Sequence, residues 1–337
     1  MRDEVEGMRE GVGVTAYLVN ESRARRPELA QDPLAAAWIP DADRPAVREL
    51  WDGFAAAVYP HDDLVVALRG RYVADLLADA LRDDPDTVLA VCGAGFSSYP
   101  WLLPFTAAIE VDLPHMAEAK RRRAAELTAA GTLPRRDVAH LGADLSQPAD
   151  RDAVAGAVRE LADGRPVAYV VEGVLFYLPP EQAEAVLTLG TEFGDTSLTA
   201  VSYWPAAAAG SQVLAAQRDW FGSRAIPAEA SYLTHHQLAG LLGEPVRDVG
   251  PEDLQRHYLG RVEVAEAGLI PEYVAAAGRV AAGPMASGAM TSAGSVGAAG
   301  SVAAGSVAAG SVAASSAPAA GSVSAAGAVP SARGVAP

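Results

Sequence analysis

Glycines and acidic residues recur where apolar segments of the sequence end. The run VLAVCGAGF ends in Gly93–Gly95, and the run TAAIEVDLP contains Asp112 at the end of its apolar part. Asp144 follows the apolar residues of DVAHLGADL, and Glu172 follows those of PVAYVV. Glycines let backbone N–H groups approach an anion, and a carboxylate can accept hydrogen bonds from a ribose diol. The combination predicts a site for a ligand that contains a nucleoside.

The spacing of these residues limits the class of cofactor. The interval from Gly95 to Asp112 is close to the roughly 20 residues expected between a glycine-rich turn and a ribose-binding acid. NAD(P)-dependent oxidoreductases and methyltransferases that use S-adenosyl-L-methionine (SAM) both fit this interval. The dinucleotide fingerprint has a third glycine where this sequence has Ser98. The missing glycine favours SAM, and an NAD(P)-binding oxidoreductase remains the alternative.

Apolar segments alternate with helical patterns from about residue 85 onward. The strand segments are TVLAVCG, TAAIEVDLP, DVAHLGADL, PVAYVVEGVLFYL and TSLTAVSYWP, with PEYVAAAGR as a last strand. The helical segments between them are HMAEAKRRRAAELTAAG, DRDAVAGAVRELADG and PEQAEAVLTLGTEFG. This alternation predicts an α/β fold with a Rossmann-like, doubly wound, mostly parallel seven-stranded sheet. Ligands of such sheets bind outside the carboxyl ends of the strands, where the glycines and acids lie.

The two ends of the chain differ from this central part. Residues 1–84 contain apolar positions at helical spacing, in DRPAVRELWDGFAAAVYP and LVVALRGRYVADLLADALRD, and predict an N-terminal helical cap. Residues 85–282 form the predicted cofactor-binding domain. Residues 283–337 consist mainly of Ala, Gly, Ser and Val with an AAGSV repeat, and this low-complexity tail is predicted to be disordered.

Composition and charge narrow the possible partners of the 337-residue chain. Its 26 basic and 42 acidic side chains give a net charge of −16, which argues against nucleic acid and anionic membranes as partners. The sequence has no run of roughly 20 apolar residues that could span a membrane. The single Cys92 fits a reducing compartment, and no Cys/His spacing indicates a metal. A cytoplasmic protein is expected, and both monomer and dimer are compatible with the sequence.

Several motifs together resemble the leucine carboxyl methyltransferase family. They are GVGVTAYLVNESRA, DDPD…VLAVCGAGF, EVDLPHMAEAKRRR, LGADL and VVEGVLFYLPPEQAEAVL, which occur in the family's order between about residues 11 and 279. Within this family, the motifs resemble more closely the bacterial branch of polyketide O-methyltransferases. The resemblance implies a class I SAM-dependent methyltransferase, in which the segment at about 205–245 forms a cover over the substrate.

The resemblance also implies roles for residues that would bind the cofactor. Gly93, Ala94 and Gly95 would lie along the methionine part of SAM. Asp112 would hold the ribose hydroxyls. Glu172 would lie near the methionyl amine, whose positive charge suits a carboxylate.

The resemblance implies further roles for residues near the adenine and near the acceptor. Asp144 and Leu145 would frame the adenine. Tyr177 would help to hold the carboxylate of the acceptor. Arg71 matches an arginine that the family uses near carboxylates of cofactor or substrate, and Arg23 would add a second positive group.

The implied reaction is O-methyl transfer to a carboxylate of a small secondary metabolite resembling a polyketide. A carboxylate is already an anion, so the reaction needs placement of the reacting atoms and no general base. Hydroxyl methylation of a polyketide is the alternative reaction and needs a base, a role that no histidine motif indicates. Many bacterial relatives have Gly-Leu-Asp-Thr-Arg where this sequence has GFSSYP, so a less polar methionine end is expected. The altered turn also leaves open a protein that is catalytically silent, either a SAM-binding protein or a scaffold protein.

Overall fold

The computed structural model describes residues 13–279 except 228, 230 and 244. The helices before the first strand are α1 (Gly13–Arg25), α2 (Pro27–Ala30), α3 (Ala35–Trp38), α4 (Arg44–Ala57) and α5 (Asp62–Asp83). The strands are β1 (Val88–Cys92), β2 (Ala108–Asp112), β3 (Val138–Gly142), β4 (Val167–Val171), β5 (Thr196–Pro205), β6 (Tyr232–Leu233), β7 (Val246–Val249) and β8 (Tyr273–Gly278). The helices between the strands are α6 (Tyr99–Leu102), α7 (Pro114–Ala129), α8 (Pro148–Ala162), α9 (Pro180–Thr188), α10 (Gln212–Gly222), α11 (His235–Leu242) and α12 (Pro251–Leu259).

The strands form one sheet in the order β3-β2-β1-β4-β5-β8-β7, and β6 pairs with the end of β5. The pairs from β3 to β5 are all parallel. Strand β8 runs antiparallel to both β5 and β7. The predicted mostly parallel α/β sheet is therefore confirmed. The strand order reverses between β1 and β4, which creates the crevice in which doubly wound sheets bind ligands.

Two strands of the sheet were not predicted from the sequence. Strand β6 has only two residues, which is too short to show a pattern. Strand β7 has the sequence VRDV, in which two of the four residues are charged. Its pairing with β8 makes it a strand despite this polar composition.

Apolar side chains of the central strands pack on both faces of the sheet. Leu89 and Val91 of β1 belong to one core cluster, together with residues of α5 and α12. Ala90 and Cys92 of the same strand belong to the other cluster, together with residues of α8 and α9. Strands that are covered on both faces have nearly continuous apolar sequences, as these do. The double packing fixes the carboxyl ends of the strands at which the cavity opens.

The helices before β1 pack in two different places. Helix α5 packs on the sheet through residues such as Leu68 and Leu77. Helix α4 contributes Trp51 and Phe54 to a separate aromatic cluster that includes Trp204. The division into a cap at 1–84, a domain at 85–282 and a cover at about 205–245 stays a prediction.

Two further predictions concern the chain as a whole. The low-complexity segment 283–337, predicted to be disordered, lies outside the described residues. In the part of the chain that the structure describes, every helix is too short or too polar to cross a membrane.

Candidate active site

A cavity of about 390 Å³ opens at the carboxyl ends of the central strands. This volume falls within the range of small-molecule sites in proteins, about 300–1,000 Å³. One wall comes from α1, and the floor comes from the segments that follow β1, β2, β3 and β4. The predicted residues that line the cavity are Gly93, Ala94, Gly95, Asp112, Asp144, Leu145, Glu172 and Tyr177.

The glycine turn after β1 forms the floor of the cavity with backbone atoms. Gly93 has a φ of +69° and Gly95 a φ of +45°, conformations that favour glycine. A Cβ atom on Gly93 would lie 2.0 Å from Cγ2 of Val174, so this position has no room for a side chain. The turn can therefore approach a ligand only because both residues are glycine.

Asp112 ties the glycine turn to the end of β2. Its Oδ2 accepts a hydrogen bond from the N–H of Gly95 at 2.7 Å, and its Oδ1 accepts one from the N–H of Leu113 at 2.7 Å. Burial raises the pKa of Asp112, and these two N–H groups act in the opposite direction. Each oxygen of a carboxylate can accept a second hydrogen bond. Both oxygens can therefore still accept hydroxyl groups such as those of a ribose, and this role of Asp112 stays a prediction.

Glu172 carries a negative charge at the centre of the site. Nε of Arg69 donates to its Oε1 at 2.8 Å, and the hydroxyl of Tyr99 donates to its Oε2. Burial alone would raise the pKa of Glu172, but the charges of Arg69 and Arg23, together with the hydrogen bonds from Tyr99 and Arg69, outweigh burial and lower it. An anion in this position suits the ammonium group of an amino acid.

Arg71 is not among the residues that line the cavity, so the geometry does not support the role predicted for it, which stays a prediction. Its guanidinium lies 4.3 Å above the ring of Tyr258, whereas Arg69 lines the cavity and pairs with Glu172 and Glu272. Side chains two positions apart on an α-helix point in nearly opposite directions, about 160° apart around the helix axis. The sequence RGR therefore places one arginine in the site and directs the other away from it.

Tyr177 lies in a 3₁₀ turn, Leu175–Tyr177, that follows β4. Its ring centroid is 4.6 Å from that of Phe176 and 5.9 Å from that of Phe221. Burial raises the pKa of Tyr177 well above its usual value, and a hydrogen bond with Thr15 only partly opposes this effect. At neutral pH its phenol keeps its proton, so the hydroxyl can donate a hydrogen bond to an anion.

The loop after β3 forms another part of the cavity wall, separate from Glu172 and Tyr177. Oδ1 of Asp144 accepts a hydrogen bond from the N–H of Ser146 at 2.9 Å, and the N–H of Asp144 donates to Asp150 at 2.7 Å. Leu145 is buried beside it. These bonds hold a carboxylate and an apolar side chain next to each other, an arrangement that can accommodate a purine base.

The residues of the GFSSYP turn are bonded to buried charges. The Ser97 hydroxyl accepts a hydrogen bond from Lys120 at 3.2 Å, and the Ser98 hydroxyl donates one to Asp32 at 2.8 Å. Arg23 reaches the turn from α1 and donates to the carbonyl of Phe96 at 2.8 Å. This end of the cavity therefore has a positive charge that comes from α1, not from the turn itself.

Three residues of the site were missed from the sequence: Arg69, Tyr99 and Glu272. Arg69 belongs to the segment RGR, in which the resemblance to the family points to the neighbouring Arg71 instead. Tyr99 lies within the turn that departs from the family's pattern, so no motif indicated a role. Glu272 is 203 residues away from Arg69 along the chain, and only the folded sheet brings the two together.

The site contains no group of metal ligands. Within the described residues, no three His, Cys, Asp or Glu side chains are arranged to hold a metal ion. Cys92, which precedes the glycine turn, is buried, and burial raises the pKa of its thiol to about 12. It is therefore a protonated core residue, not a nucleophile.

Known proteins resemble the chain in sequence and in fold. Residues 11–190 match the family described as leucine carboxyl methyltransferase. A protein of Mycobacterium marinum is 34% identical over 202 residues, which are 54% of this chain and 60% of the relative. One of Mycobacterium avium is 30% identical over 244 residues, which are 69% of this chain and 74% of the relative. The names of both assign them to the SAM-dependent methyltransferases.

A crystal structure has a similar fold. A protein of Thermobifida fusca assigned to the methyltransferases gives a TM-score of 0.50 at 16% identity. The alignment covers 68% of this chain and 87% of that one. This chain spans 60% of the length of the Mycobacterium marinum relative.

Proposed function

The chain belongs to the leucine carboxyl methyltransferase family, and we propose that it transfers the methyl group of SAM to a carboxylate oxygen of a small acceptor. The side chains that line the cavity carry this proposal. Among the described residues, the lining includes neither histidine nor lysine. A hydroxyl acceptor must lose a proton to a base during methyl transfer, whereas a carboxylate has already lost it.

The carboxylates of the lining have other tasks than proton transfer. Asp112 and Asp144 each accept backbone N–H groups at the nucleoside end of the cavity. Glu172 forms an ion pair with Arg69, and its pKa is lowered, so it is a weak base. The cavity is therefore better suited to an acceptor that is an anion before it binds.

The residues present fit SAM. The side chain of Arg23 is almost fully buried, and its Nε lies 3.8 Å from Oδ2 of Asp32 without a hydrogen-bond partner. This orphaned donor lines the same cavity as Glu172, so a cation and an anion are available for the carboxylate and ammonium of a methionine tail. Gly93 and Gly95 both line the cavity, so the turn presents backbone atoms to that tail. When bound, SAM supplies a methyl group on a positively charged sulfur.

The chain then needs to position the acceptor. The protonated hydroxyl of Tyr177 can donate to one oxygen of the acceptor carboxylate and leave the other oxygen free to attack. The neighbouring Phe176 also lines the cavity and stacks on Trp204, with ring centroids 4.5 Å apart and an angle of 7°. Phe176 and Leu178 give this end an apolar wall, which excludes water and suits an acceptor with an apolar body.

Calorimetry and product analysis test this function. The protein should bind SAM and S-adenosylhomocysteine but not NAD⁺. Transfer of a radiolabelled methyl group is then measured with matched pairs of aromatic acids and phenols. A methyl ester releases labelled methanol in mild alkali, whereas a methyl ether does not. Labelled methanol from the acids supports the proposal. An alkali-stable product from the phenols would show hydroxyl methylation, and absence of SAM binding would favour a scaffold protein.

Replacing Tyr177 with phenylalanine tests its role in positioning. We expect SAM affinity to stay unchanged and kcat/KM to fall by about tenfold to a hundredfold, the effect of losing one hydrogen bond to a charged group. Tyr258→Phe is the control, because the Tyr258 hydroxyl bonds to Asp75 away from the cavity. If Tyr177→Phe weakens SAM binding and transfer equally, the residue shapes the cofactor pocket instead.

A further inference from the structure

A second cavity, of about 310 Å³, lies among the helices before β1. Helix α1 separates it from the first cavity. Ala16 and Arg23 of this helix line the first cavity, whereas Asn20, Glu21 and Ala24 line the second. Helices α3 and α4 contribute the remaining wall. Nothing in the proposed methyl transfer uses this second cavity.

The wall of the second cavity is positively charged. Arg25, Arg44 and Arg48 line it, and Glu21 is the single acid among its lining residues. Burial raises the pKa of Glu21, although Arg25 opposes this shift. Oε1 of Glu21 lies 3.1 Å from Nε of Arg25 and 3.7 Å from Nε of Arg48, so one acid is shared by two of the three arginines and the wall keeps an excess of positive charge. Arg25 is held in place by the ring of Trp51, which lies 3.8 Å from its guanidinium carbon. The cavity therefore favours an anion.

Exposed acids outside the lining pair with two of these arginines. Arg25 bonds to Asp52 and Arg44 bonds to Asp41, each at 2.7 Å, and both acids are largely exposed. Exposed pairs of this kind are weak, so an anion in the cavity can compete with the two acids for these arginines. The pairs do restrict the arginine side chains, which makes the site more rigid before a ligand binds.

Two buried polar groups of the cavity wall lack partners. Asn20 is fully buried, and neither Nδ2 nor Oδ1 of its amide has a hydrogen-bond partner. Nε of Arg44 is also buried without a partner. Buried polar groups are nearly always hydrogen-bonded, so each such group requires an explanation. Here two donors and one acceptor, from α1 and α4, belong to the wall of the same cavity.

We propose that this cavity binds a phosphate group. Phosphate near neutral pH carries oxygens that accept hydrogen bonds from Asn20 Nδ2 and Arg44 Nε, and a P–OH that donates to Asn20 Oδ1. A carboxylate or a sulfate is an acceptor only and leaves Oδ1 unsatisfied. The cavity is larger than inorganic phosphate requires, so a phosphate monoester with a small organic part also fits, bound as the monoanion that keeps one P–OH.

Calorimetry of the full chain with inorganic phosphate and with sulfate, at matched ionic strength, tests the proposal. Phosphate should bind at least about tenfold more tightly than sulfate, because only phosphate pairs with Oδ1. Equal affinity for the two anions, or no binding of either, would overturn the proposal. A third titration, with ribose 5-phosphate, distinguishes free phosphate from a phosphate monoester as the ligand. Tighter binding than inorganic phosphate assigns a monoester, and weaker binding assigns free phosphate.

Three variants locate the bound anion. Asn20→Leu and Arg44→Gln should each weaken phosphate binding by about tenfold or more. Arg82→Gln is the matched control, since Arg82 is an exposed arginine of α5. It should change the affinity by less than roughly twofold, because salt screens exposed charges. A similar loss in all three variants would mean that the anion binds to the general charge of the surface. If Asn20→Leu does not fold, Arg44→Gln provides the same test.

The shared helix predicts coupling between the two cavities. A ligand that holds Asn20 in place also restrains Arg23, which lies less than one turn further along α1. Saturating phosphate should therefore raise the affinity for SAM, and SAM should raise the affinity for phosphate by the same factor. An unchanged SAM affinity would refute the coupling and leave the phosphate-binding result as it stands.

Discussion

Replacing Gly93 with alanine should damage the protein more than the same change at Gly95. Both glycines belong to the turn after β1, and both have positive φ. Their surroundings differ. A Cβ on Gly93 would lie 2.0 Å from Cγ2 of Val174, whereas a Cβ on Gly95 would have Ala16 at 3.5 Å, an ordinary contact. The two positions therefore separate the cost of backbone strain from the cost of steric overlap.

The expected magnitudes follow from these distances. An alanine in the left-handed region costs about 1–2 kcal/mol, and this cost applies to both variants. At Gly93 the side chain of Val174 must also move, which adds about 1–3 kcal/mol, as in other overpacked cores. We expect Gly95→Ala to lower the free energy of unfolding by about 1–2 kcal/mol and Gly93→Ala by about 2–5 kcal/mol.

The displacement of Val174 should also affect the site. Val174 lies between Glu172 and Tyr177 in the chain, so its movement shifts residues that we expect to bind SAM and the acceptor. Urea unfolding measures the stability of each variant, and calorimetry measures its affinity for SAM. The loss of SAM affinity should be larger for Gly93→Ala than for Gly95→Ala.

A double-mutant cycle with Val174→Ala isolates the steric part. In that background the obstructing methyl group is absent, so Gly93→Ala should cost only the backbone part, about 1–2 kcal/mol. Equal losses for the two glycine variants, or an unchanged cost of Gly93→Ala in the Val174→Ala background, would refute this reasoning.

Two further predictions concern the charges of the site. Arg69→Gln should weaken SAM binding by roughly tenfold or more, because Glu172 loses its cation, whereas Arg71→Gln should change it by less than about twofold. Calorimetry of both variants checks this, and equal losses would contradict the placement of the two side chains. The second prediction concerns the stability of the protein at low pH. The pKa of Glu172 is lowered from its usual 4.5, so its charge adds stability that is fully present above that pH and is lost as the pH falls through the lower value of the folded state. The difference in unfolding free energy between wild type and Glu172→Gln should therefore shrink as the pH falls below 4.5, and a pH-independent difference in urea titrations would contradict it.

The regular part of the fold could be predicted from the sequence because its strands are covered on both faces. Apolar runs of five residues such as Val88–Cys92 and Val167–Val171 are fully buried, and glycines or acids follow them. The topology of a parallel sheet then places the ends of these runs side by side. For this reason seven of the eight predicted residues of the cavity lining could be found from the ends of the strands, whereas Tyr177 came from the resemblance to the family.

The arginine of the site could not be chosen in the same way. Helix α5 has buried residues on all its sides, among them Leu64, Val66, Leu68 and Val73. An apolar stripe that would show which side faces the sheet is therefore absent from its sequence. Without such a stripe, the sequence does not show which of the two arginines of RGR faces the site. Only the packed helix distinguishes them.

The last strand of the sheet has a consequence for biosynthesis. Strand β8 lies between β5 and β7, although it follows both in the chain. While a ribosome is making the protein, the edge of β5 stays unpaired until Gly278 has been added, and open edges of this kind invite pairing with other chains. Glu272, which pairs with Arg69, emerges with the same strand. Contacts across such a long interval form slowly. The nascent chain therefore completes its sheet and the charge network of its site in one late step.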